Sequence, residues 1–311
     1  MSAAGAERAL PVVRFAFRDL RLDEAGTPRF DGEDVASHGQ RLLVLGAPRV
    51  LFLAATGAAL PARGSLWIDG RPAAQAVREG RVAAVRFDVP VPPAWTALAY
   101  ATWRARLAGQ DRRVAARSAA DALERFALSP RARVAGLSEP ARRGFHVAAA
   151  YATGAPCLVL DDVYAGLSDG DALALARVLA LGLEPRGWIV FAARAPLASR
   201  LGLAADEALV FAGSALAAAG DPAEVAASER SFALRLEAPG RPTRPDGSAA
   251  ADAFFTACLE RGARIADSSS WESSLVHIEL GGAMRPRDLF RCAEDAGCTI
   301  VELAAYSGAL T

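Results

Sequence analysis

Three short apolar runs constrain this chain more than any other feature: RLLVL at 41–45, CLVLDD at 157–162 and WIVFAAR at 188–194. Each is about one strand long and lacks the alternation of a half-exposed strand, as expected of a strand covered on both faces. Helical pattern separates such runs, which predicts a mostly parallel sheet between two layers and hence an α/β fold. Residues 12–22 and 29–36 alternate like strands at a sheet edge, and SLWIDG (65–70) and RVAAVRF (81–87) add further strands. Helices are expected over 51–59, 96–126, 140–151 and 171–183. Two strands around Gly213 and Ser214 and a helix opened by Pro222 complete this part.

Beyond residue 227 the rhythm changes. Strands at 231–238, 264–268, 275–280 and 298–304 and helices at 249–262 and 285–296 give the order β-α-β-β-α-β, that of a small ferredoxin-like α+β domain. The expected division is therefore 1–227, with a helical region at about 95–150, and 228–311. Phe254, Phe255 and Leu259, or Leu289 and Phe290, are expected to supply the buried helix faces of the second part, and GRPTRPDGS (240–248) a turn-rich loop.

Composition excludes more than it selects. The 35 basic residues are all arginine, 35 acidic residues balance them, and 52% of positions are hydrophobic, so the chain can bury a core and shows no bias toward nucleic acid. Cys157, Cys258, Cys292 and Cys298 form no Cys-x-x-Cys pair, and His38, His146 and His277 lie far apart, which argues against a metal site or a disulfide framework. The opening MSAAGAERAL has no signal-peptide core. Residues 42–60 are apolar enough to suggest a membrane span, but Pro48 and Arg49 interrupt them, and we read a buried strand, a turn and a helix. Arg142, Arg143 and the arginines of 104–117 are expected on solvated helix faces, with a basic patch toward a partner as the alternative. Trp95, Tyr100 and Trp103 are read as core aromatics, or as one edge of an interaction site.

The segment 137–168, LSEPARRGFHVAAAYATGAPCLVLDDVYAGLS, resembles the signature-helix and Walker B region of ABC transporter ATPases. GSLWIDGRP (64–72) and AGDPAEV (219–225) are similar to further landmarks of that family in the same order, and the tail resembles the extension of ABC-2-type export ATPases. The resemblance implies an ABC-type nucleotide-binding domain with a helical subdomain. It also makes each departure readable. A phosphate loop needs consecutive backbone N–H groups on a glycine-permitted curve and a lysine; between Gly46 and Leu51 this chain has only Ala47, Pro48, Arg49 and Val50, about four residues too few. Arg49 is the one candidate substitute for the lysine. Ser138, Glu139 and Pro140 stand where small glycines let the signature backbone approach phosphate, and there an anion is expected to repel it.

Phe87 takes the place of the Q-loop glutamine, Arg194 that of the switch histidine, and Ser168 that of the last acidic residue of the D-loop; the adenine-stacking aromatic maps around Asp23. Only Walker B keeps its chemistry, with Asp161 at the magnesium position and Asp162, one methylene short, at that of the catalytic glutamate. Both aspartates also have a plainer reading, as groups bonded to neighbouring loop N–H donors. The expectation is a pseudo-ATPase with no catalytic residue, no metal and no cofactor, paired with a permease, an intact ATPase subunit or its own copy at the cytoplasmic membrane face. Two alternatives stay open: a weak ATPase whose Asp161, Asp162 or Arg194 completes a composite Mg-ATP site, and a soluble scaffold.

Overall fold

A computed structural model describes residues 14–193, 195–197, 199–228, 231–237, 249–265, 276–281 and 284–307. Arg194, the loop at 240–248 and the opening decamer lie outside the described residues.

The chain begins with β1 (Phe15–Glu24), β2 (Thr27–Gly32) and β3 (Val35–Ser37), then β4 (Arg41–Leu45), α1 (Arg49–Ala55), β5 (Arg63–Ile68), β6 (Arg71–Pro72), α2 (Ala73–Arg78) and β7 (Val82–Val85). Next come the helices α3 (Ala97–Leu107), α4 (Arg112–Arg125) and α5 (Glu139–Tyr151). The chain then returns to the sheet through β8 (Cys157–Asp161), α6 (Asp169–Leu183), β9 (Gly187–Ala192), β10 (Ala195–Pro196), α7 (Arg200–Leu203), β11 (Glu207–Ala212), β12 (Ala215–Gly220) and α8 (Pro222–Ser228).

The central sheet has the order β12-β11-β4-β9-β8-β7, with every neighbouring pair from β11 to β7 parallel and only the β11–β12 hairpin antiparallel. Its apolar runs bury both faces. Leu43, Leu45, Leu158, Leu160, Trp188 and Val190 pack into one core with the helices. Leu42, Val44, Val159, Ile189 and Phe191 pack into another with α1 and the antiparallel layer of β1, β2, β3, β5 and β6. That split is the period of two along a strand, with each full burial of a Leu, Ile or Phe contributing about 1.5–3 kcal/mol.

Two helices differ from the sequence reading by more than a frayed end. The helix expected from Leu51 starts at Arg49 and stops at Ala55, so Arg49 and Val50 belong to its first turn. The stretch read as helical over 96–126 is two helices, parted at Gly109 with φ +92° and restarted by Asp111, whose carboxylate accepts from the N–H groups of Arg113 and Val114.

The remainder follows the expected element order: β13 (Ser231–Glu237), α9 (Ala249–Glu260), β14 (Arg264–Ile265), β15 (Val276–Glu279), α10 (Pro286–Asp295) and β16 (Thr299–Ser307). Its sheet runs β16-β13-β15-β14, with every pair antiparallel. Phe254 and Leu289 are fully buried in its core. Leu259 and Phe290, expected beside them, are instead half exposed, because they fall on the outer sides of their amphipathic helices. Across the 227/228 boundary the contact is direct: β10 pairs with the end of β16, so this sheet is joined to the segment that follows β9.

Candidate functional site

The carboxyl ends of β4, β8 and β9 open onto a cleft of about 480 Å³ that Arg49, Phe87, Asp88, Arg143, Asp161 and Asp162 help to line. In open parallel sheets this is the edge where ligands bind. Only Gly46, Ala47 and Pro48 connect β4 to α1. Gly46 has φ +68° and donates to the Ala192 carbonyl at 3.0 Å, and a Cβ there would collide with the Phe211 carbonyl. The glycine therefore serves a tight turn into the helix, and Pro48, just before α1, brings no N–H.

Arg49 leaves the first turn of α1 and crosses the cleft. Its Nε donates to Asp161 Oδ2 at 2.9 Å, and its Nη2 reaches both Asp161 and Asp88 at 2.8 Å. Arg86 holds Asp88 from the other side, at 2.9 and 3.1 Å. The result is a chain of alternating charge, Arg86–Asp88–Arg49–Asp161, anchored on Asp161, which is 7% exposed at the end of a fully buried strand. Arg86 and Arg49 hold the Asp88 carboxyl well below the usual range, and Asp88 and Asp161 raise Arg49 in turn. Burial pushes Asp161 up, against the pull of Arg49. The plainer sequence reading gave Asp161 neighbouring loop N–H groups as partners; the side chain that holds it is an arginine 112 residues away in the chain.

Asp162 keeps part of that plainer reading. The Ala193 N–H donates to its Oδ1 at 3.4 Å, and its φ of +35° is uncommon for a residue with a side chain. Ser168 caps α6, accepting from the Asp171 N–H at 3.2 Å and donating to its carboxylate at 2.8 Å. Phe87 stands under the Arg143 guanidinium at 5.3 Å and edge-on to the His146 ring at 5.9 Å.

Two expectations on α5 need correction. Arg143 is not solvated: it is 8% exposed and donates to the carbonyls of Asp162 at 3.2 Å, Val163 at 2.7 Å and Ala165. Neighbouring backbone oxygens supply a fork of acceptors that a guanidinium matches, which draws it inward. Glu139, expected to project a repelling charge, is instead paired with Arg142 and, at 3.1 Å, with Arg143, while Ser138 and Pro140 open the helix around it. His146, on the same helix, is 3% exposed, and burial together with the charges of Arg104 and Arg142 brings its pKa down to about 4. Among the described residues no group of three or more His, Cys, Asp or Glu side chains could hold a metal ion.

Arg86, Asp88 and Arg143 were not identified from the sequence as cleft residues. Their one local signal is spacing: Glu139 lies four residues before Arg143 on a helix, and Arg86 two before Asp88.

Neither a protein-family model nor a curated relative matches the sequence. Solved structures do match in fold. CbiO1 of Clostridium perfringens, part of the ABC transporter complex CbiONQ, shares 18% identity at a TM-score of 0.58, covering 70% of this chain and 92% of that one. MJ1267, an ATP-binding cassette of an ABC transporter, shares 14% identity at 0.57, with 70% and 94% covered. The cassette MJ0796, solved as a dimer in a post-hydrolysis state with ADP and phosphate, shares 12% identity at 0.53, with 67% and 98% covered. The mixed α/β fold described above is thus that of ABC ATP-binding cassettes. No helix of the described residues is long and apolar enough to cross a membrane.

Proposed function

We propose that this chain is a noncatalytic ABC-type subunit, a pseudo-ATPase that pairs with a permease, an intact ATPase subunit or its own copy at the cytoplasmic face of the membrane. The observation that carries the reading is the Arg49–Asp161 ion pair beneath a loop of only Gly46, Ala47 and Pro48. These residues do not fit Mg-ATP. The Asp161 carboxylate already meets a guanidinium, and the turn offers too few N–H groups to cradle a triphosphate. Buried area and packing hold a fold and its interfaces together without active-site chemistry, so partner binding is the function left to this cassette.

The C-terminal sheet order and all-antiparallel pairing support a ferredoxin-like appendage over 228–311, and the pairing of β10 with β16 gives it a place in the assembly beside the segment after β9. The groove between the α3 helical region and β7 is the docking place we assign to the membrane partner. One observation favours the composite-site alternative: Asp162 stays at the cleft beside the Arg143-held loop, so it remains placed to serve a partner's nucleotide.

The test is affinity purification of the tagged full-length chain from its own membranes. The proposal expects a multi-span membrane protein to be recovered in stoichiometric amount without added nucleotide. Recovery of soluble partners alone would replace it with the scaffold reading.

A further inference from the structure

Three of the chain's four cysteines fall in 228–311: Cys258 on α9, Cys292 on α10 and Cys298 just before β16. All are free thiols in one apolar core, and Cys258 and Cys292 are fully buried where α9 packs against α10. Cys292 is not packed as an ordinary core sulfur. Arg261, in the turn that follows α9, donates from Nη1 to Cys292 Sγ at 2.8 Å and from Nη2 to Asp295 at 3.2 Å. The first is as short as an N–H···O bond although sulfur is the larger atom, and a guanidinium beside a sulfur favours thiolate over thiol.

Cys258, whose side chain interacts with that of Cys292, has the opposite character. Burial first, and then the charge of Cys292, push its thiol up, so it keeps its proton. The two helices thus bring together one sulfur held by a cation and one that stays protonated. The cover over the first is an Arg261 side chain 42% exposed, paired with an Asp295 side chain 64% exposed. A small oxidant arriving from that side meets a solvated ion pair, not packed core.

We propose that Cys292 and Cys258 are a modification site for hydroperoxides, with Cys292 the attacking sulfur, Arg261 the cation that activates it and Cys258 the resolving thiol. The Cys292 thiolate attacks one peroxide oxygen and the O–O bond breaks. For hydrogen peroxide the departing hydroxide takes up the proton that Cys292 released, which gives water and a sulfenic acid on Cys292. The Cys258 sulfur then attacks the sulfenic sulfur, the S–O bond breaks, and the Cys258 proton leaves with the hydroxyl as a second water. Two electrons pass from the sulfur pair to the peroxide, and a disulfide joins α9 to α10. The step needs neither the Arg49 cleft nor a membrane partner.

The test exposes the reduced full-length chain to hydrogen peroxide, blocks remaining thiols with an alkylating reagent and maps the peptides by mass spectrometry. A glutamate-specific protease cuts at Glu294 and so separates Cys292 from Cys298. The expected product is a peptide pair linked through Cys258 and Cys292, formed while Cys157, pushed up to about 12 by burial in the central sheet, still takes the alkylating reagent. C258S should stop at a sulfenic acid on Cys292 that a dimedone probe captures, and C292S should give neither product. R261A uncovers Cys292 and removes its cation, so a slowing of the linkage by about tenfold separates activation from mere shielding.

Cys258 and Cys292 both staying reduced in the folded wild type, linkage through Cys298 instead, or linkage in R261A as fast as in wild type or faster would overturn the inference. Circular dichroism checks the fold of each variant, and the wild-type map decides the pairing even where a variant does not fold.

Discussion

Arg49 and Arg104 occupy two depressions, one at the carboxyl ends of β4, β8 and β9 and the other along the open edge of β7, and the chain treats them oppositely. In the first, Asp161 and Asp88 neutralise Arg49, while backbone carbonyls take up the guanidinium of Arg143. In the second, Arg104 has a single backbone acceptor and an apolar rim that remains exposed. A depression whose charges are satisfied from within gains little from a ligand, whereas one with an uncompensated charge and exposed apolar surface gains from a partner of matching chemistry. The cleft that would be catalytic in an ATPase is thus internally satisfied, and the groove beside it is not.

The largest effect expected is at Arg143. R143M keeps the packing on Phe87 but leaves the carbonyls of Val163 and Ala165 without the guanidinium and that of Asp162 with the Ala165 N–H, and should cost about 3 kcal/mol in urea unfolding. Amide exchange at Ala165 and Leu167, whose N–H groups close turns in that loop, should accelerate more than exchange in β8. A cost below about 0.5 kcal/mol would mean that the first cleft is not held by its own arginines.

Next is the pH dependence of the helix between the two depressions. The folded-state pKa of His146 lies at about 4, below its ordinary value near 6.5, so the unfolded chain binds the proton first as pH falls. Its contribution is complete above about pH 6.5 and is lost progressively toward pH 4, reaching about 3 kcal/mol. Asp161, raised by burial, works in the opposite direction, and Asp88, held down by Arg86 and Arg49, loses its contribution only in stronger acid. H146L should therefore flatten the stability profile between pH 6.5 and 4 relative to wild type, and parallel profiles would assign the slope to other groups.

R49A leaves Asp161 buried without its partner and should cost about 2 kcal/mol, a value set below that of a fully buried pair because the arginine is half exposed. Adding D161N should restore most of that loss, which a double-mutant cycle in thermal unfolding would read. The smallest effect is D162N: the amide keeps an oxygen that accepts from the Ala193 N–H, itself a long bond at 3.4 Å, so stability should move by less than about 0.5 kcal/mol and membrane recovery not at all. A severe transport defect in a well-folded D162N would break the contrast between the depressions and favour the composite ATPase site.

The fold was legible because its signals are local. LLVL, CLVLD and WIVFA are buried on both faces as their composition requires, and Pro222 opens its helix as expected. The cleft was half legible. Resemblance alone brought Gly46, Pro48, Glu139 and Phe87 forward as positions of interest, and Gly46, Pro48 and Phe87 do lie at or beside the cleft. The partners that side chains meet across the cleft were not legible. Arg49 meets Asp161 across 112 positions and Arg143 meets Val163 across 20, and no periodicity encodes such pairs. The solvated reading of Arg143 failed for a related reason: spacing assigns a residue to a helix face, but only tertiary packing decides whether carbonyls wait there. At Leu259 and Phe290 an apolar side chain was read as core, although exposed apolar residues are common on folded surfaces.

In the proposed reading Arg49 holds the Asp161 carboxylate in place of magnesium-bound nucleotide. Its most direct test is isothermal titration of the purified full-length chain with Mg-ATP, run beside wild-type thermal unfolding at the same ligand concentrations. The account predicts no saturable heat and no shift in the unfolding midpoint up to millimolar Mg-ATP. Saturable binding in the micromolar range, roughly −8 kcal/mol, would contradict it.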